Sequence, residues 1–353
     1  MKDRIQSAQI ILPCANLNET LEFFVERLGF RIETIFPADA PAIAVVSGYG
    51  ICLRLENSSA PSNLTINLVG NFAAEIEREI FSPDGVCVRL IDEKKSLEIP
   101  EGRQEFVIST LEGENAWSVG RAGMQYRDLI PSRLGGRFIA SHIRIPHGGE
   151  VPDYVHFHKI RFQMIYCISG WARLVYEDQG APFLMNAGDC VLQPPEIRHR
   201  VLECSDEFEV LEIGCPSLHE TFADHDLQLP NDKFAPERLF NEQQFLHHIA
   251  AETNWKSSLF EGFETCNTKM SRATGKLADV RTLRAIADSR LSVRHSLGFL
   301  FFYILKGKLQ ISDSKGEIYH LEKGGSFVLP KDNFYSIDAA KGLEMLRVSL
   351  PAK

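Results

Sequence analysis

Three histidines and a glutamine lie in two short segments whose residue types and spacing could bind a metal ion. The first segment, His156 to Gln163, reads HFHKIRFQ. In a β-strand, His156 and His158 would point to the same face, because alternate residues do so. Gln163 reaches that face only if a turn or bulge intervenes, which a β-hairpin supplies. The second segment, Gly188 to His199, has a Gly-Asp turn, a short strand and a Pro-Pro corner before its histidine.

These segments resemble the two motifs of the cupin superfamily: a glycine, His-x-His, Glu or Gln and a glycine, followed by Gly, Pro and His. The resemblance covers about residues 120–215 and implies a double-stranded β-helix (jelly-roll) barrel. Position by position, it implies one divalent metal ion held by His156, His158, Gln163 and His199. A lone histidine is more often a surface or hydrogen-bonded core residue, but this combination of ligand positions and anchors favours metal binding.

Gln163 stands where many cupins have a glutamate, so the implied ligand set carries no formal charge. A divalent ion would keep both positive charges and favour an anionic, bidentate oxygen ligand such as an enolate, a diketonate or a hydroxy acid. Imidazole-rich sites suit several transition metals, and the sequence does not choose among them. Because three-histidine cupins resemble O₂-using dioxygenases, we favour Fe²⁺, with Mn²⁺, Ni²⁺, Zn²⁺ and Cu²⁺ as alternatives.

Strand alternation nominates two neighbours of the ligands. Tyr154 shares the predicted face of His156, so it could donate a hydrogen bond to a bound substrate oxygen or act as a general acid or base. The alternative is an aromatic residue at the barrel mouth. Cys167 shares the face of Gln163 and is a candidate substrate contact, although such a cysteine is more often a small apolar lining residue.

The motif spacing recurs in the last third of the chain. His158–Gly170 has the same length as His295–Gly307, and Gly188–Pro194 has the same length as Gly324–Pro330. In the second copy, the positions of the four predicted ligands hold Val293, His295, Leu300 and Tyr335. Only His295 could ligate a metal. We therefore predict a structural second barrel, with an organic effector in its interior as the alternative.

Two segments, residues 219–226 and 237–255, follow the first motif pair. The run His219–Asp226 is rich in possible ligands, but it follows the last predicted strand of the first barrel. We interpret it as a polar exit loop, with a lid or a second metal site as the alternative. Apolar residues within 237–255 predict a connecting helix, with His247 and His248 on its surface.

The N-terminal region has a different pattern. Alternation near Ile10 precedes an amphipathic helix, Leu17 to Leu28, and three strand-like runs follow within residues 30–56. This order resembles one module of the vicinal oxygen chelate (glyoxalase and bleomycin-resistance) superfamily. The metal ligands of that family match Gln9 and Glu56. No second helix-bearing copy follows, so we expect a structural or dimerising module, with a site completed across a dimer as the alternative.

The 353 residues therefore divide into three predicted units. They are a glyoxalase-like module (1–115), a metal-binding cupin barrel (116–230), and a connecting helix with a degenerate, structural cupin barrel (231–353). The predicted fold class is mainly β: two jelly-roll barrels preceded by a small α+β βαβββ module.

Composition limits the function and the compartment. The net charge of −9 argues against nucleic-acid partners, and the longest apolar run is too short for a membrane helix. The N-terminus has no secretory signal pattern, and eight cysteines without a Cys-x-x-Cys pair indicate free thiols in a reducing cytoplasm. We expect a small-molecule substrate and, from the family resemblances, a homodimer.

Three functions remain open. The first is a metal-dependent dioxygenase that cleaves a C–C bond of a small oxygen-chelating, anionic metabolite. The second is a non-oxidative isomerase or lyase in which the metal acts as a Lewis acid. The third, ranked last because neither a helix-turn-helix nor a basic patch supports it, is a metal- and ligand-binding regulatory protein without catalysis.

Overall fold

The computed structural model describes residues 4–352 except 59, 61, 74–75, 94–96, 112–116, 121–122 and 253. It divides the chain into two compact units, residues 1–96 and 97–353. The predicted boundary between residues 115 and 116 lies outside the described residues. No helix of the described part is long and apolar enough to cross a membrane.

The first unit begins with the predicted order of one strand, one helix and three strands. These are β1 (Ile10–Cys14), α1 (Leu17–Glu22), β2 (Arg31–Phe36), β3 (Ile43–Gly48) and β4 (Ile51–Asn57), and a π-helical segment (Phe23–Arg27) prolongs α1. The Asn16 side chain caps α1 by accepting a hydrogen bond from the Glu19 backbone N–H. Gly29, with φ of +74°, ends the helical segment in the left-handed conformation that glycine tolerates best.

Two sheets of this unit share one apolar core. The first has the order β1-β4-β3-β2, with β1 parallel to β4. The second, built from β5 (Thr65–Gly70), β6 (Glu79–Phe81) and β7 (Cys87–Asp92), has the order β5-β7-β6, with β5 parallel to β7. Leu53, Leu55, Ile66 and Val88 are among the buried residues that join them.

The predicted ligands of this unit do not come together within one chain. Gln9 is exposed, and Glu56 forms an ion pair with Arg54 (Nε–Oε1 2.5 Å). The register of β1 on β4 places Pro13 opposite Glu56, and Gln9 lies four residues before Pro13, just outside β1. That offset separates the two backbones by about 13 Å.

The second unit consists of four main sheets and a few short segments. Its strands are β8 (Val107–Ser109), β9 (Ser118–Val119), β10 (Gln125–Asp128), β11 (Ile139–Ile145), β12 (Gly149–Glu150), β13 (His156–His158), β14 (Phe162–Ser169), β15 (Trp171–Tyr176), β16 (Phe183–Asn186), β17 (Cys190–Leu192), β18 (His199–Cys204), β19 (Phe208–Cys215), β20 (Thr221–Ala223), β21 (Leu239–Phe240), β22 (Gln243–Gln244), β23 (Leu246–His248), β24 (Lys256–Ser257), β25 (Phe263–Asn267), β26 (Asp279–Ala285), β27 (Ser289–Val293), β28 (Phe299–Lys306), β29 (Lys308–Ser312), β30 (Ile318–Glu322), β31 (Ser326–Val328), β32 (Tyr335–Ala339) and β33 (Glu344–Leu350). Its short helical segments are α2 (Arg133–Gly136), α3 (Met270–Ala273) and a 3₁₀ turn (Ala250–Glu252).

The internal repeat is present in the strand order. We call the sheets of β9–β20 the first half and those of β24–β33 the second half. The large sheet of the first half contains β17-β14-β19-β11-β10-β9, and that of the second half β31-β28-β33-β26-β25-β24. The smaller sheets contain β16-β15-β18-β13 and β30-β29-β32-β27. One apolar cluster lies inside each half, and a third joins the two large sheets.

Each large sheet gains one edge strand from outside its own half. β8, which precedes the first half in sequence, pairs with β31 of the second half. β23, from the connection between the halves, pairs with β17 of the first half. The prediction of a connecting helix is therefore wrong: positive φ values at Asn241 and Glu242 make the turn of the β21-β22 hairpin, and pairing with β17 outweighs the local helical pattern. His248 is buried, contrary to its predicted surface position.

Candidate metal centre

His156, His158 and His199 come together, as their motif predicts. One possible ligand atom from each side chain lies within 4.8 Å of the other two. β13 pairs with β18 so that His156 stands directly opposite His199. The two rings lie 4.3 Å apart between centroids, and both side chains are buried.

Hydrogen bonds at Nδ1 orient two of these rings. His156 Nδ1 lies 2.8 Å from the Tyr154 carbonyl oxygen, and His199 Nδ1 lies 2.9 Å from the Ile197 carbonyl oxygen. A carbonyl oxygen only accepts, so Nδ1 carries the proton and Nε2 is the ligand atom. Metal-binding histidines are commonly held in this way. The donor set therefore fits a transition-metal ion.

The third histidine is held by residues that we predicted to form an exit loop. Thr221 belongs to β20, which pairs with β13, and its Oγ1 lies 2.9 Å from His158 Nδ1. The His219 ring packs edge-on against the His158 ring, with centroids 5.4 Å apart. Both Thr221 and His219 line the cavity. The exit-loop interpretation is wrong at this point because the chain adds one more strand beside the ligands.

Gln163 lines the same cavity and is bonded to an acidic residue that the motif lacks. It is 2% exposed, and its Nε2 donates a 2.6 Å hydrogen bond to Glu212 Oε1. This bond engages the amide nitrogen and leaves the amide oxygen, the atom that ligates metals. Glu212 lies on β19, opposite Ile165 of β14. A sequence signal existed, because Glu212 alternates with Val210 and Gly214 on the inward face of its strand.

Tyr154 is not among the residues that line the cavity. β13 begins at His156, so strand alternation does not extend back to Tyr154. Its side chain is 42% exposed and its ring lies against the rings of His156 and His225. The backbone carbonyl of Tyr154 orients His156, and the predicted role of its hydroxyl as a hydrogen-bond donor or general acid or base stays a prediction.

Cys167 is likewise absent from the cavity lining, contrary to its predicted role as a substrate contact. The residue does continue the inward face of β14. Its side chain is fully buried in the apolar core of the first half, and this burial raises the pKa of the thiol to about 12. All eight cysteines of the chain are free thiols, as predicted.

The cavity has a volume of about 350 Å³. Residues that stand opposite one another on neighbouring strands line it in layers. In the layer of Gln163, β19 and β11 contribute Gly214 and Ile139. In the next layer, Ile165 is joined by Glu212 and Ser141. Beyond these layers the lining includes Ile143, Ile145, Leu174, Met185, Val201, Phe208 and Val210. Neither lysine nor arginine lines this cavity among the described residues.

Tyr176 is a lining residue that the sequence did not single out. Its ring stacks on that of His199, with centroids 5.4 Å apart and 22° between planes. Gln193 Nε2 donates a 3.0 Å hydrogen bond to its hydroxyl oxygen. Burial raises the pKa of Tyr176 well above its usual value, so the phenol stays neutral and can donate.

The second half has no equivalent ligand set. The ring of His295, the one predicted position with a ligating side chain, has backbone partners at both nitrogens: Nε2 donates to the Leu329 carbonyl oxygen (3.0 Å) and Nδ1 accepts from the Leu297 N–H (3.1 Å). The interior is filled instead, and the ring of Phe106 stacks on that of Tyr335, with centroids 5.0 Å apart. Val293 and Leu300 belong to the buried apolar cluster.

Comparison by sequence finds no matching family model and no matching curated protein. Solved structures do match. Salicylate 1,2-dioxygenase from Pseudaminobacter salicylatoxidans has 17% identity and a TM-score of 0.53, over 71% of this chain and 86% of that chain.

Two further structures match at similar levels. Oxalate decarboxylase from Bacillus subtilis has 15% identity and a TM-score of 0.52, over 70% of this chain and 76% of that chain. The protein Ylba from E. coli has 13% identity and a TM-score of 0.50, over 72% of this chain and 94% of that chain. These structures are cupins, and the likeness to them shows a mainly β, cupin-like fold.

Proposed function

We propose that this chain is a metal-dependent enzyme of cupin type with one working site, in its first half. His156, His158, Gln163 and His199 would hold the ion, with Fe²⁺ favoured over Mn²⁺, Ni²⁺, Zn²⁺ and Cu²⁺. The observation that carries the proposal is the convergence of three histidine side chains, two of them with Nδ1 bonded to backbone carbonyls. Such prior orientation favours metal binding because little ordering remains to be done.

The lining defines the substrate that we propose. When bound, the metal would supply a Lewis acid and, if it is redox-active, a place for O₂ beside the substrate. A substrate with two chelating oxygens fits the polar end, which contains Gln163 and Glu212. Apart from the phenol of Tyr126, the deeper lining is apolar, so an uncharged aryl or branched alkyl body fits best. With neither lysine nor arginine in the described lining, a second carboxylate would have no cationic partner.

Glu212 is the proton acceptor that we propose for this reaction. Its carboxylate is the acidic side chain of the described lining, and one oxygen is held by Gln163. Neutral Tyr176 can donate a hydrogen bond to a substrate oxygen. Loss of an enol O–H proton, or of a C–H proton next to a carbonyl, to Glu212 would leave an enolate, the type of ligand that a divalent ion favours.

Dioxygenation is the reaction that we favour, and the alternative is non-oxidative isomerase or lyase chemistry. The similar structures include both a dioxygenase and a decarboxylase. The test is oxygen uptake by the Fe²⁺-loaded protein with a panel of aryl and alkyl diketones, catechols and hydroxy acids. Uptake with an apolar member supports dioxygenation. Product formation under strict anaerobiosis would instead support the alternative.

Metal content tests the proposal one step earlier. Elemental analysis of protein purified without a metal-affinity tag should give one ion per chain. If the protein contains no stoichiometric metal, and His156→Ala leaves ligand binding intact, the enzyme proposal fails. A regulatory, ligand-binding protein without catalysis would then be the better description.

A further inference from the structure

A second pocket, of about 590 Å³, lies between β23 and the strands β24–β26 of the second half. Among the described residues, the positively charged side chains of Lys256, Lys269 and Arg281 line it, against one acidic side chain, that of Glu252. This lining is therefore positive in a chain whose net charge is −9. A local field of opposite sign to the whole molecule attracts ligands that the rest of the surface repels.

The charge of Arg281 is only partly compensated. Arg281 Nε lies 2.7 Å from Asp279 Oδ2, and Arg347 Nη1 lies 3.3 Å from the same oxygen. One carboxylate thus faces two guanidinium groups. An added anion would improve the balance of charges.

The remaining lining is rich in groups that bind oxyanions. Lys256 and Lys269 are both exposed, so their ammonium groups are accessible to an anion in the pocket. Thr265 Oγ1 is buried and has no hydrogen-bond partner in the described part of the protein. Asn254 and Asn267 add amide donors to the same lining. Charged and neutral donors together are what phosphate and carboxylate groups require.

We infer that this pocket binds a small oxyanion, a phosphate- or carboxylate-bearing metabolite, through Lys256, Lys269 and Arg281. The inference goes beyond the proposed function, because none of the metal-centre residues lines this pocket. Its volume is within the range of small-metabolite sites.

Isothermal titration of the full chain with inorganic phosphate, and separately with malonate, tests the inference at constant ionic strength. We expect saturable binding of at least one of these probes. The double substitution Lys256→Gln/Lys269→Gln should weaken it by about tenfold or more, because two cationic partners are lost. The matched control, Lys315→Gln/Lys331→Gln, removes the same charge from exposed lysines outside this pocket and should leave the affinity unchanged.

Each outcome decides the matter. Phosphate binding weakened only in the Lys256/Lys269 variant supports a phosphate site, and the same result with malonate supports a carboxylate site. Binding that is equal in the two double variants overturns the inference, as does the absence of saturable binding to both probes. Because all four lysines are exposed, these variants should fold like the parent chain, and circular dichroism checks this.

Discussion

Equivalent positions in the two halves show how one strand order supports two different interiors. The layer that contains Gln163, Gly214 and Ile139 in the first half is occupied in the second by Leu300, Ser349 and Asp279. The next layer, Ile165, Glu212 and Ser141, becomes Phe302, Arg347 and Arg281. The second half thus has a leucine in place of the glutamine and an arginine in place of the acid.

The filling of the second half follows from its larger side chains. The ring of Phe302 stacks on that of Phe327, with centroids 4.8 Å apart and 16° between planes. Phe106 adds a further ring against Tyr335, and all these residues pack in or against one apolar cluster. The strand order therefore fixes where an interior lies, while side-chain volume and polarity decide whether it becomes a cavity or a core.

Removing one histidine from each half should have the largest effect on metal binding. His199→Ala should abolish stoichiometric metal, because it deletes a proposed ligand. His295→Ala should leave the metal content unchanged, because both ring nitrogens already bind backbone groups. Elemental analysis of the two variants distinguishes them. Metal retained in His199→Ala, or lost in His295→Ala, would contradict the assignment of the site to the first half.

Glu212→Gln tests the acidic residue that the second half replaces by arginine. We expect the variant to keep its metal and to lose about 10²- to 10⁴-fold in kcat, the usual effect of removing a proton acceptor. Glu203→Gln, on the same half and paired with Arg173, is the control and should keep full activity. A fully active Glu212→Gln enzyme would remove Glu212 from the proposed reaction.

A matched pair of isoleucines compares the filled interior with the open one. Ile304→Ala should lower the free energy of unfolding by about 2–5 kcal/mol, because it opens a new cavity in a packed core. Ile165→Ala, on the equivalent strand, should cost only about 1 kcal/mol, because that side chain already borders a cavity. Denaturant titrations measure both. Equal losses would mean that the first half is as tightly packed as the second.

The smallest predicted effect concerns His142, whose ring binds partners from both halves. Its Nε2–H donates to Glu209 (2.7 Å), and its Nδ1 lies 3.3 Å from both Arg127 Nη2 and the Tyr303 hydroxyl. Burial lowers the pKa of His142, and the hydrogen bond from His142 lowers the pKa of Glu209. Both groups therefore bind protons more weakly in the folded chain than in the unfolded chain, so stability falls as the pH falls.

His142→Gln should remove part of this pH dependence. Between about pH 7 and about pH 5.5, where an ordinary histidine gains its proton, the parent chain should lose on the order of 1 kcal/mol more stability than the variant. Urea titrations at the two pH values measure the difference. The same loss in both proteins would show that His142 is not responsible.

Features that depend on residues close together in the sequence could be predicted, whereas features that depend on pairing of distant segments could not. The histidines of the first half were predictable because two residues on one strand and a Gly-Pro-His segment are local patterns. A structural role for His295 was predictable because the other ligand positions of its copy do not hold metal ligands. His219 and Thr221 were missed because the pairing of β20 with β13, which no local spacing encodes, brings them to the cavity. Glu212 was missed although its alternation with Val210 and Gly214 placed it on the inward face of its strand.

The errors have the same physical origin. Residues 239–248 have a local helical pattern, yet pairing of Leu246–His248 with β17 decides their structure. Strand alternation was used to assign Tyr154 to the face of His156. The strand begins only at His156, so alternation does not apply to Tyr154. Long-range pairing thus decided the type of structure in residues 239–248 and the first residue of β13, where local periodicity predicted otherwise.

The edge strands β8 and β23 have a consequence for folding during synthesis. β8 is made before the first half, but its partner β31 is made near the end of the chain. During translation, the backbone of Val107–Ser109 therefore has no sheet partner until almost the whole second half has been made. A chain that ends after β20 would lack β23 as well, leaving the β17 edge uncovered. Such unpaired edges promote aggregation, so the halves should be obtained together rather than as separate fragments.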